Sequence, residues 1–161
     1  HLLTHKIGFL WRIHRVHHSD TQMDVSTAIR FHPIEIALSM ALKIGLVYAL
    51  GADPLSILFF EILLNGSSMF NHANIKIPTQ IDKVLRLFIV TPDMHRIHHS
   101  RDRNEHDTNF GFALSVWDRF FRTYKDYPQK KHEDMELGLN WQDEKPEKLG
   151  WSLALPFRKN E

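Results

Sequence analysis

Two histidine triplets limit what this chain can become. The stretch "RIHRVHHSD" sets His14, His17 and His18 at the spacing HxxHH, and "DMHRIHHSRD" repeats it with His95, His98 and His99. Arg and a β-branched residue fill the gap in both copies, Arg15 and Val16 in one, Arg96 and Ile97 in the other. With 12 histidines in 161 residues, one such pattern arises by chance in roughly 0.07 places per chain, so composition does not account for two. On a helix, positions i, i+3 and i+4 share a face about 100° wide. Three imidazoles crowded there repel one another if protonated and are buried without partners if neutral. A bound cation resolves both problems, because neutral imidazole is a common metal ligand.

His1 and His5, at i and i+4, add a third local group, and His72 brings the candidate ligands to nine: His1, His5, His14, His17, His18, His72, His95, His98 and His99. Nine exceed what one tetrahedral zinc uses, so two metals sharing them is the economical arrangement. All-nitrogen donors select zinc, iron, copper or nickel over magnesium or calcium, which prefer oxygen. The chain has no cysteine, which excludes disulfides, zinc ribbons and iron–sulfur clusters. A formal charge of +1 argues against nucleic acid as a partner.

The length fits one domain. Position 1 is His1, with neither an initiator Met nor a signal peptide, so the chain reads as truncated at its N-terminus. Two apolar runs follow a break at "FHP", Ile34–Leu50 and Pro54–Phe70, separated by "GADP". Each sits at the lower edge of what spans a bilayer, and each also suits a buried helix in a soluble bundle. In the second run Glu61, Asn65, Ser68 and His72 lie at i, i+4, i+7 and i+11, one polar stripe within about 60° on an apolar helix. That stripe either lines a cavity beneath the metals or pairs with Lys43 across the hairpin. Thr91, Pro92 and Asp93 form a helix start that predicts a helix beneath His95, His98 and His99. Residues 100–109 read as a polar loop and "FGFALSVWDRFFRTY" as a packed aromatic segment. Residues 1–128 then form the catalytic unit, and residues 129–161 a charged surface tail without chemistry.

If residues 1–18 were one straight helix, His1 and His5 would point away from the first triplet. The pattern therefore predicts a kink or break near Gly8 to Leu10. His32 reads as a local hydrogen-bonding residue, and His106 and His132 as surface histidines. Ligating imidazoles need acceptors for the second ring nitrogen, and Asp24, Asn71, Asp93, Asp102 and Asn109 are candidates by proximity in sequence.

In order along the chain, HLLTH, HRVHH, NHANIKIP, TPDMHRIHHS and TNFGF…WDRFFRTY resemble the fatty acid hydroxylase and sterol desaturase superfamily, in particular its bacterial sterol desaturase members. The resemblance covers roughly residues 1–128. It implies an all-α integral membrane protein in which a helical hairpin carries a cytosolic helical cap, in bacteria at the inner membrane. It further implies that the nine histidines hold a dinuclear iron centre, with zinc able to replace iron on purification. Such an enzyme uses dioxygen and electrons from a separate redox partner to hydroxylate or desaturate a lipid. Many relatives carry Gly where this chain has Arg122, at a surface turn. Two other readings of the histidines stand beside this one: a soluble zinc hydrolase, which needs a carboxylate base near the ligands, and a non-enzymatic metal-binding membrane protein.

Overall fold

The computed structural model describes residues 1–142 and 145–159. Among them the regular structure is helical, apart from two isolated bridges, Ile89 with Leu114 and Ser100 with Leu137. Helix α1 (Leu2–Lys6) and helix α2 (Gly8–His14) are separated by Ile7, whose extended backbone interrupts the helix. The required break is therefore present, one residue before the predicted window. Gly8 does not supply it; Gly8 opens α2, in open space. The first triplet is not carried on one helix either. His14 closes α2, and His17 and His18 lie on a 3-10 turn, His17–Ser19.

Helix α3 (Pro33–Leu50) starts with Pro33 at its first position and His32 as its cap, the His32 ring accepting from the Ile34 amide. It ends at Gly51, where φ of 63° suits a residue without a side chain. Asp53 then caps α4 (Pro54–His72) through the Leu55 and Ser56 amides. Helix α3 buries none of its residues, and α4 buries only Ser68, Asn71 and His72, at its far end. By length and composition α3 suffices to cross a membrane. Lys43 and Glu61 join the two helices at 2.6 Å.

Beyond the hairpin come α5 (Thr79–Leu85), α6 (Pro92–His98), α7 (Arg103–His106), α8 (Val116–Phe120) and α9 (Leu149–Ala154). The start of α6 follows the predicted pattern in its backbone, with Pro92 first and Asp93 in the first turn, although the Thr91 hydroxyl makes no cap. The stretch 100–109 contains the four-residue α7 and is not wholly a loop. The aromatic segment is not packed as predicted: Trp117, Phe120 and Phe121 are exposed. The C-terminal part is also more than a surface tail. Leu139, Trp151 and Leu155 form an apolar cluster with Val16, and Arg15 donates to the carbonyls of Leu155 and Arg158. The tail thus braces the first triplet from behind, because the residues between its histidines bury themselves in it.

Candidate metal centre

All nine predicted histidines come together, in two groups. His1, His5, His14, His18 and His98 form one, and His17, His72, His95 and His99 the other; within each, one ring nitrogen per residue lies within 4.8 Å of the rest. The partition crosses the motifs. From the first triplet, His14 and His18 enter group one and His17 enters group two; from the second, His95 and His99 enter group two and His98 enters group one. Each HxxHH thus gives its i, i+4 pair to one group and its middle histidine to the other. The groups adjoin, with the rings of His18 and His99 stacked at 4.5 Å.

The nitrogens fit a cation better than one another. In group two, His72 Nε2 lies 3.1 Å from both His17 Nε2 and His95 Nε2 and 3.2 Å from His99 Nε2. One ring nitrogen cannot satisfy three others through a single proton. Four nitrogens placed about 2.1 Å from a tetrahedral ion are separated by about 3.4 Å, close to this spacing. In group one, His1 Nε2 and His14 Nε2 are 3.1 Å apart, and Nε2 of His5, His18 and His98 is buried with no hydrogen-bond partner. Orphaned acceptors aimed at a shared point are what a nitrogen-ligated metal satisfies.

Burial favours the neutral form of the most enclosed rings. Loss of hydration, reinforced by neighbouring imidazoles, pushes His5, His17, His18, His95 and His99 well below the ordinary histidine range; in His98 the same loss of hydration outweighs a backbone acceptor. Outer contacts then orient the rings. Nδ1 of His1, His17, His72 and His98 meets the carbonyls of Phe110, Arg30, Ser68 and Thr108 at 2.8, 3.2, 2.7 and 2.8 Å. His14 Nδ1 meets Glu35 at 2.6 Å, from the first turn of α3. Phe31 stacks on His17 at 4.5 Å, and Phe110 lies 5.0 Å from His5.

The candidate acceptors proposed by proximity bind elsewhere. Asp24 and Asp102 are exposed caps of short helices, and Asp93 lies on a surface groove. Asn71 donates to the Phe112 carbonyl, and Asn109 to those of Met94 and Lys125, so both secure the backbone beside the histidines. Sequence proximity failed here because the real acceptors are mostly carbonyls, which no residue type reveals. Glu35 was legible only as a polar residue in an apolar run. In the stripe of α4, Glu61 pairs with Lys43 and Asn65 donates back to Glu61. Ser68 is buried one turn below His72.

His32 is the local partner expected of it, its Nε2 lying 3.3 Å from the Leu153 carbonyl. His106 is not an ordinary surface residue: it stacks on Trp11 at 5.3 Å and stands with Asp107 beside His5. His132 is half-buried in the tail.

A fold whose described residues are helical apart from two isolated bridges, built around a buried centre of imidazole nitrogens, defines a class of histidine-box proteins. The family model for fatty acid hydroxylase matches residues 1–123, and the chain belongs to that family. It is 33% identical over 137 residues to ornithine lipid hydroxylase OlsE of Rhizobium tropici, covering 85% of this chain and 40% of that protein. Alkylglycerol monooxygenases of Caenorhabditis elegans and Homo sapiens are 29% and 28% identical, over 83% and 86% of this chain and 25% and 29% of theirs. The chain therefore spans less than half the length of these relatives. No solved structure matches it.

Proposed function

We propose that this chain carries the catalytic core of a membrane-bound, dioxygen-dependent lipid hydroxylase in which each histidine group holds one iron ion. The reciprocal sharing of two triplets between two closed nitrogen clusters carries this reading. Iron held there supplies the reductive activation of dioxygen needed to oxidise an unactivated C–H bond. Overall, one oxygen atom enters the lipid and the other leaves as water, with two electrons and two protons supplied from outside the chain. The electrons come from an external donor, for which a separate redox protein is the expected source. Zinc suits the same nitrogen set and is expected in protein purified in air.

The chain's own residues hold and insulate the centre. Backbone carbonyls and Glu35 fix Nδ1 of five rings, which turns the opposite nitrogen inward. Phe31 and Phe110 flank the rings and keep water away. The hairpin of α3 and α4 enters the membrane, with the histidine groups at the end of α4 on the cytosolic side, in bacteria at the inner membrane. That placement sets the centre beside the acyl region from which a lipid arrives. The names borne by the relatives favour hydroxylation over desaturation. A zinc hydrolase is disfavoured because Glu35 and Asp107 approach Nδ1 atoms of His14 and His5 at the rim, where neither serves as a base for metal-bound water.

The test is lipid-stimulated oxygen uptake by the full-length protein, purified anaerobically, loaded with ferrous iron and given a chemical reductant. A product one oxygen atom heavier than the lipid is expected. Turnover indifferent to oxygen overturns the reading.

A further inference from the structure

Helices α5 and α8 are built inside out. On α5 the charged pair Asp82 and Arg86, at i and i+4, is buried, whereas Ile81, Val84 and the following Phe88 face outward. On α8 Asp118 is 1% exposed and binds the amides of Phe110 and Gly111, whereas Trp117, Phe120 and Phe121 are 54%, 75% and 61% exposed. A helix on a water-facing surface shows the reverse pattern. The two faces form one patch. Ser115 donates from its amide to the Phe88 carbonyl at 3.1 Å and from its hydroxyl to the Arg86 carbonyl at 2.7 Å, while the Val90 amide reaches the Ala113 carbonyl at 3.0 Å.

The patch continues from the hairpin. Asn71, one residue from the end of α4, donates to the Phe112 carbonyl, within the segment that joins the metal centre to α8. The same segments carry cations: Lys83 and Arg122 are exposed, and Arg119 lies over the Tyr124 ring at 4.0 Å. The carboxylates of Asp82 and Asp118 are turned inward, and Asp126 is engaged by Arg86 and Tyr124. Aromatic rings beside Arg and Lys, with the one exposed carboxylate, Asp126, paired to Arg86, suit a headgroup layer bearing anionic phosphates.

We propose that α5 and α8 form an interfacial foot that lies in the headgroup layer of an anionic bilayer beside the α3–α4 hairpin, an inference that rests on the membrane placement proposed above. The foot sets the height of the histidine groups over the acyl chains, because Phe110 to Ser115 tie it to them directly.

The test uses the full-length protein in vesicles of phosphatidylcholine and phosphatidylglycerol, with bromine on the acyl chains either near the carbonyl or near the chain end. The emission difference between wild type and Trp117→Phe isolates Trp117, and the exchange of one exposed ring for another leaves the fold intact. Shallow bromine is expected to reduce the Trp117 signal by about twofold or more, and deep bromine less, as for an interfacial aromatic. Quenching by aqueous acrylamide without quenching by bromolipid places the patch in water and overturns the proposal. Protection from both quenchers means that protein, such as a second copy of the chain, covers it, and also overturns it. Vesicles washed with alkaline carbonate distinguish the two levels of the argument: release of the protein there refutes the membrane placement itself.

Discussion

Glu35 links a long apolar helix to the histidine centre through one hydrogen bond of 2.6 Å to His14 Nδ1. A carboxylate in that position raises the donor strength of the opposite nitrogen and locks the tautomer. Replacing Glu35 with Gln should weaken metal binding in group one by about tenfold or more, read from metal retained against graded chelator. Unchanged retention would make the contact incidental. The sharing of triplets gives a sharper pair of substitutions. His18→Ala should deplete group one and His17→Ala group two, although the residues are neighbours in sequence. The nine histidines were legible because spacing marks a face, but their partition was not. Along α6 and its cap, i+4 lies about 40° from i and i+3 about 100° from i+4, but the first triplet leaves its helix after His14, so helical angles do not assign its rings. Acid supplies another test. His5, His17, His18, His95, His98 and His99 are held below their ordinary range by burial. Once metal is removed, the unfolded chain takes up protons that the native chain refuses as pH falls through about 6.5, so stability is lost on acidification. The Tm of the metal-free protein should fall from pH 7.5 to pH 5.5, and a flat profile would contradict neutral burial.

At the scale of elements, prolines marked where α3, α4 and α6 begin, since Pro33, Pro54 and Pro92 each open a helix. The bend between the first two histidine groups was readable as a necessity of geometry, but its site was not. Glycine drew attention at position 8, whereas Ile7 adopts the extended conformation. Gly8→Ala should therefore leave metal content unchanged and alter stability by no more than about 1 kcal/mol, in the stabilising direction. Gly111 behaves oppositely. A Cβ there would lie 2.6 Å from Asp118 Oδ2 and 2.9 Å from the Leu114 carbonyl, and the carboxylate is already fixed by the Phe110 and Gly111 amides. Gly111→Ala should destabilise by about 1–3 kcal/mol in a thermal melt and loosen metal in group one, against which Phe110 packs. The exposure of α8 escaped the sequence because an aromatic run reads alike whether it is packed in the core or left outward. Arg122, at φ of 59°, occupies a left-handed conformation that suits glycine better than a residue with a side chain.

Across the whole molecule, distant segments converge on two small clusters while a long hairpin projects away from them. The charged composition of the tail concealed its part in this. Trp151 and Leu155 are sparse apolar residues in a polar stretch, yet they close the cluster around Val16, between His14 and His17. Trp151→Ala should cost about 3–5 kcal/mol and release metal more readily through the mobility given to the first triplet. The central claim is that two triplets are divided between two metals, and a metal count tests it most directly. Elemental analysis of the full-length protein, purified without oxygen and loaded with ferrous iron, should give about two ions per chain, and about one in His18→Ala. One ion or none in the wild type would contradict the account.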